Sequence, residues 1–163
     1  MIIGITGHRS LGGPATEAWV RAALTDEIAQ RPIHRGLSSL AVGADQLFAE
    51  ILISAHIEFE AVIPCAGYEA TFRDDVERIR FYHLVARAAT VHRLPFDAPS
   101  EPAFLAAGAW IASHCDLLIA VWNGLPARGI GGTAEVVALA QTQGRRWLHI
   151  DPVRRTIGDG GKA

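Results

Sequence analysis

The sequence predicts an α/β fold: a single, doubly wound, mainly parallel sheet of about six strands with helices on both faces. Three observations point there. Short β-branched apolar runs alternate with longer helical patterns from residue 1 to about 151 of the 163, which is the rhythm of successive βαβ units. The run Leu117, Leu118, Ile119, Ala120, Val121, Trp122 has no polar face and is too short for a buried helix, so it reads as a strand covered on both sides. Strand ends also run into glycine and then into a helix start, at Gly7, at Gly43 and in the glycine-rich segment that ends at Gly131 and Gly132.

The first strand spans residues 1–6 and leads into Gly7, His8 and Arg9. A glycine at the carboxyl end of a first strand lets a ligand come close to the backbone, and His8 and Arg9 would point into the same crevice. A helix over about 15–30 follows, with Trp19, Ala22, Ala23 and Ile28 as its inner face. A second strand, 37–42, ends in Gly43, Ala44 and Asp45, where another helix starts; Asp45 either caps that helix or binds ribose hydroxyls. A third strand, 59–64, is stopped by Pro64. The helical pattern over 69–87 carries mostly i,i+4 charge pairs, unless Tyr68 and Arg73 reach back over a ligand. A short strand at 90–94 and a helix over about 103–114 come next, and Gly108 in that helix marks a close approach by something else. After the central strand, Thr133 opens a helix whose inner face reads as Ala134, Val137, Ala138 and Gln141. A strand over 146–151 closes the sheet, and residues 153–163 read as a frayed polar tail beyond a single domain of residues 1–152.

Right-handed crossovers place every parallel strand's carboxyl end on one edge, so the loops at Gly7, Gly43, Pro64 and 124–132 converge there. Ligands of such sheets bind at that edge, where strand order reverses. Strand, glycine loop and helix together present backbone N–H groups and the positive end of a helix dipole to an anion. The step Gly131, Gly132, Thr133 is the strongest signal of this kind. Arg9 adds a planar fork of donors suited to phosphate.

A formal net charge of −2 gives no reason to expect bulk nucleic-acid binding. Cys65 and Cys115 are far apart and outside metal-ligand spacing, and the seven histidines never fall into such spacing. No leader or membrane-length apolar run is visible, so the cytoplasm is the default expectation, with no membrane partner. Walker-type, nucleophile-elbow and G-x-G-x-x-G patterns are absent. Glu135, in the first turn of the last helix, is the acid nearest the glycine loop. It is either a dipole-stabilising residue or an acid, base or nucleophile toward an N-glycosidic bond. Trp19 and Trp110 on alanine-rich helices are compatible with a homodimer or higher homo-oligomer.

Three stretches, ITGHR at 5–9, VGAD at 42–45 and DLLIAVWNGLPARGIGGTAEVVA at 116–138, resemble the SLOG superfamily. That Rossmann-like group includes the lonely-guy phosphoribohydrolases, DNA-processing protein A and nucleotide-sensing modules. The resemblance runs to about residue 150. It implies a nucleotide-derived ligand, with no further cofactor required, lined by Gly7, His8, Arg9, Gly43, Ala44, Asp45, Gly131, Gly132 and Thr133 and flanked by Trp122, Asn123 and Gly124. Relatives often carry Asp where Asn123 stands. The enzymes of the group place a catalytic Glu three positions after the Thr, where this chain has Val136. Glu135 comes one residue early, a rotation of ~100° about a helix axis. A nucleotide-binding sensor module is therefore the first expectation. A nucleotide N-glycosidase using Glu135 is the second, and an oligomeric scaffold with a vestigial pocket the third.

Overall fold

The computed structural model describes residues 1–126 and 132–160. Seven strands form one sheet in the order β4-β3-β2-β1-β5-β6-β7: β1 Ile2–Gly7, β2 Arg35–Ser38, β3 Glu58–Ile63, β4 Thr90–Arg93, β5 Leu117–Val121, β6 Trp147–Asp151 and β7 Thr156–Asp159. The first six run parallel, and only β7 pairs antiparallel, with β6. The helices are α1 Pro14–Ala29, α2 Ala44–Ser54, α3 Asp75–Arg87, α4 Glu101–His114 and α5 Thr133–Thr142. The chain walks outward from β1 to β4, then returns to lay β5 on the other side of β1. Since each crossover keeps its right hand, the return moves the covering helices to the opposite face. One apolar cluster accordingly joins Ile3, Ile5, Phe59 and Ile119 to α1, α2 and α3. The other joins Leu37, Val62, Leu118 and Ala120 to α4 and α5. All five residues of β5 are buried, as its unbroken apolar run requires.

Several boundaries differ from the sequence reading, each for a local reason. β2 stops at Ser38, four residues early, because Leu40 takes a left-handed φ of 58° and the Ser38 hydroxyl accepts from the Leu40 amide at 3.1 Å. The pattern over 69–87 divides into a 3-10 turn, Tyr68–Thr71, and α3, whose start is capped by Asp74 accepting from the Glu77 amide. The inner face of α1 is Val20, Ala23, Leu24 and Ile28, with Trp19 half-buried and Ala22 exposed. The inner face of α5 is Thr133, Val136, Val137 and Ala140, while Ala138 and Gln141 face outward. The close approach at Gly108 is α5 itself, since a Cβ there would lie 2.3 Å from Val136 Cγ2. Cys65 and Cys115 are free and buried, and burial pushes the Cys115 thiol up to about 11. Among the described residues no helix is long and apolar enough to cross a membrane.

The stretch read as a frayed tail contains β7. Asp151, 1% exposed, makes that strand possible. Its Oδ1 accepts from the amides of Val153 and Arg154 at 2.8 and 3.0 Å, and its Oδ2 accepts from Arg154 Nη1 at 3.1 Å. Burial opposes the charge, but these bonds prevail and hold the carboxyl below its usual range. A depressed carboxylate stabilises the fold above its unfolded pKa of 3.8 and withdraws that support as pH falls further. Asp151→Ala should cost about 2 kcal/mol at pH 7, measured by urea unfolding, and should speed amide exchange in β7 more than in β1.

Candidate functional site

Strand order reverses between β1 and β5, so their carboxyl ends diverge into the loops 8–13 and 122–126. His8 ties this region together. Its amide donates to the Val121 carbonyl at 3.0 Å, its carbonyl accepts from the Ala44 amide at 3.1 Å, and its Nε2 accepts from the Asn123 amide at 3.3 Å. One residue thereby joins the tip of β5, the start of α2 and the loop after β5.

The glycines there answer to packing within the protein. A Cβ on Gly7 would lie 2.4 Å from the Ala44 Cβ, and one on Gly43 would lie 2.3 and 2.5 Å from the carbonyl oxygens of His8 and Arg9. Gly43 also holds φ at 92°, a region that only glycine enters freely. The space a Cβ would need over these two backbones is filled by the chain itself, so packing alone already requires glycine at both places. The start of α2 is occupied in the same way. The Ala44 amide bonds to His8, and the Gln46 amide bonds to the Ala41 carbonyl. That leaves α5. The amides of Thr133 and Ala134 have no acceptor among the described residues, as the first turn of a helix dictates. Gly132, its N-cap, sits at φ −77°, extended backbone open to any residue. Gly131 lies outside the described residues, as does most of the glycine-rich loop.

Beneath these loops is a cavity of about 270 Å³. Its walls include Ile5, Pro64, Phe104, Ile111 and Val136, and its polar groups include Ser39, Asp45, Tyr68 and Thr133. Asp45 is 4% exposed. Burial lifts its carboxyl from 3.8 to about 6; the Ser39 hydroxyl, donating to Oδ2 at 2.6 Å, the facing amides of Ala41 and Ser39, and Arg9 at longer range limit the rise. Tyr68 packs edge-on against Phe72 and Phe81, and burial holds its phenol well above the usual range.

Outside this cavity, and sharing His8, Arg9, Gly132 and Thr133 with it, is a wider bay of about 580 Å³ that also touches Ser10, Trp122, Asn123 and Ala134. A third hollow, toward α3, holds Arg9, Arg73 and Arg80. Arg9 stands where all three meet. Its guanidinium lies 5.8 Å from the Phe104 ring centroid, and no carboxylate among the described residues forms an ion pair with it. Arg73 and Arg80 are different: they bond to Glu77 and Glu50.

The structure thus gathers His8, Arg9, Asp45, Gly132 and Thr133 around one hollow, with Gly7 at its wall. Tyr68 enters it and Arg73 does not. Trp122 and Asn123 line the outer bay, and both also shape their own loop. The indole N–H donates to the Leu125 carbonyl at 2.8 Å, and Asn123 Oδ1 accepts from the Leu125 amide at 3.1 Å. Gly124 holds φ at 77°, as such a turn requires. Gly43 borders the third hollow and Ala44 packs under Gly7. Glu135 is half-buried; the position one residue on, Val136, is the one that lines the cavity. Ser39, Phe104 and Ile111 were not anticipated. Ser39 carried a faint signal, a hydroxyl six residues before the first-turn aspartate of α2, whereas Phe104 and Ile111 looked like ordinary core positions of α4. Among the described residues no three His, Cys, Asp or Glu side chains gather as a metal site.

No family model and no curated protein matches the chain. Solved structures do. DNA processing protein A from Helicobacter pylori, described for its single-stranded DNA binding mode, superposes with a TM-score of 0.65 at 15% identity, over 93% of this chain and 65% of that one. DNA processing protein A from Streptococcus pneumoniae gives 0.63 at 18%, over 91% and 50%. A molybdenum cofactor binding protein from the phototrophic bacterium Rippkaea orientalis gives 0.59 at 18%, over 93% and 78%. This chain therefore spans between half and two thirds of the length of the two DNA-processing proteins.

Proposed function

We propose that this chain, which has a Rossmann-like SLOG fold, binds a nucleotide or nucleotide-derived phosphate ligand at the carboxyl edge of its sheet and acts as a binding or sensing module. The observation that carries this reading is the placement of Arg9. A guanidinium without an ion-pair partner among the described residues stands at the mouth of a cavity, beside the first-turn amides of α5. Fixed donors and a helix dipole favour a negative group at such a place. The neutral or hydrogen-bonding part of the ligand then extends inward, past Thr133 and Phe104, toward Asp45.

Calorimetric titration with AMP, GMP, nicotinamide mononucleotide and ADP-ribose tests the reading. At least one phosphate-bearing ligand should bind, and Arg9→Ala should weaken it by about 10- to 100-fold, the worth of one charge-assisted contact. Absence of binding by all of them would overturn the proposal. A single-stranded oligonucleotide belongs in the same titration, because one structural neighbour is described as binding single-stranded DNA, against the expectation from net charge. Preference for the strand over every mononucleotide would make a polymer the ligand. The N-glycosidase alternative has its own readout. Free base released from nucleotides by the wild type and not by Glu135→Gln would establish it; the burial of Val136 at the cavity wall favours binding without cleavage. Homo-oligomerisation is proposed on the half-buried Trp19 and Trp110, and sedimentation with and without ligand tests it.

A further inference from the structure

The inner cavity differs chemically from the bay outside it. Its volume, about 270 Å³, corresponds to roughly nine waters at ~30 Å³ each, which suits one ring system better than a whole nucleotide. Its walls combine apolar side chains of sheet and helix, Ile5, Phe104, Ile111 and Val136, with the hydroxyls of Ser39, Tyr68 and Thr133. Among the described residues its only carboxylate is Asp45, 4% exposed and without a cation in ion-pair contact. An ionised carboxylate offers about four lone-pair sites and no donor; the Ser39 hydroxyl takes one, at 2.6 Å, and the amides of Ala41 and Ser39 also face it. A phosphate is repelled from such a floor and drawn to Arg9 instead. A sugar, with hydroxyls on every side, would leave some of them facing Ile5, Phe104, Ile111 and Val136. A flat ring suits them if it directs N–H donors at the carboxylate.

Resting on the phosphate-ligand reading above, we propose that the inner cavity takes a 2-amino-4-oxopyrimidine ring, as in guanine or a pterin, whose ring N–H and exocyclic amine both donate to the Asp45 carboxylate while the ligand's phosphate meets Arg9. This edge presents two adjacent donors to two acceptor oxygens. Adenine offers one donor beside an acceptor, and xanthine turns the amine into a carbonyl, so each leaves Asp45 facing a lone pair. Mismatch of a buried hydrogen-bonding edge is penalised far more than loss of an apolar contact.

The test is a calorimetric panel at pH 7.5 of GMP, dGMP, IMP, AMP, XMP and phosphorylated 6-hydroxymethylpterin, on the wild type and Asp45→Asn. In the wild type, GMP or the pterin phosphate should bind about 10- to 100-fold more tightly than AMP and XMP, with IMP between them. The tighter of the two identifies the source of the ring. Asp45→Asn replaces one acceptor by a donor and should invert the GMP-to-XMP preference. The inference is overturned, with phosphate binding intact, if AMP equals GMP or if the variant leaves that preference unchanged. Equal binding of the bases together with loss of dGMP would overturn it in favour of the carboxylate reading the sugar. If no member of the panel binds, this inference is overturned, and the phosphate-ligand reading falls with it only if nicotinamide mononucleotide and ADP-ribose also fail to bind.

Discussion

Gly43→Ala should destabilise the protein by about 4 kcal/mol, a large part of the 5–15 kcal/mol that holds a typical domain together. Two independent costs combine. The backbone sits at φ 92°, where an L side chain is strained. The new methyl would also lie 2.3 and 2.5 Å from the carbonyl oxygens of His8 and Arg9, which are backbone atoms and cannot swing away. Relief requires parting the β1 tip from the start of α2, and with it the bond from the Ala44 amide to the His8 carbonyl. Urea unfolding monitored by tryptophan fluorescence measures the loss. Gly13→Ala is the control: it too has a positive φ, 114°, but an added Cβ meets nothing within 4 Å. Its smaller cost isolates the strain from the collision.

Asp45→Asn should act in the other direction. Burial raises the Asp45 carboxyl from 3.8 to about 6, so the folded state binds this proton more tightly than the unfolded state. The charged form therefore opposes folding above pH 6, and the penalty fades as pH falls from about 6 toward 3.8. About two pKa units correspond to at most ~3 kcal/mol. Asn removes the charge and keeps an oxygen for the Ser39 hydroxyl, while its amide nitrogen cannot accept from the facing amides of Ala41 and Ser39, which holds the gain below that bound. At pH 7.5 the variant should exceed the wild type in stability by up to about 3 kcal/mol, and at pH 4 the two should converge. Measuring the difference between the two proteins cancels the opposite pH dependence of Glu50 and Asp151, whose pKa values are lowered. A difference that stayed constant with pH would show that Asp45 is not the titrating group. A residue retained at such a cost to stability is a natural place to seek a binding role.

Much of the architecture was legible in the amino-acid pattern. Leu117–Val121 could only be a strand covered on both sides, and the step from Gly132 to Thr133 did begin a helix. What escaped did so for physical reasons. β7 is exposed at all four positions, so no apolar alternation announces it; it exists because Asp151 folds the chain back. The buried face of α5 was misread because Ala134, Ala138 and Ala140 are equally acceptable inside or outside, and only packing against Gly108 chooses among them. Around the hollow, His8 and Arg9 after β1 and Asp45 in the first turn of α2 were legible from topology alone. Gly7 and Gly43 line hollows, as their places at the sheet edge suggest, and they also serve the contact between β1 and α2. Phe104 could not have been singled out, because its place beneath Arg9 depends on how α4 crosses the sheet.

The three bonds of His8 carry a dynamic consequence. Because Val121, Ala44 and Asn123 all hang from that residue, a molecule that displaces the imidazole or its backbone cannot do so at one loop alone. The amide resonances of Ala44 and Asn123, on opposite sides of the crevice, should shift together along a single titration curve, which is how occupancy at one spot becomes legible across the whole rim.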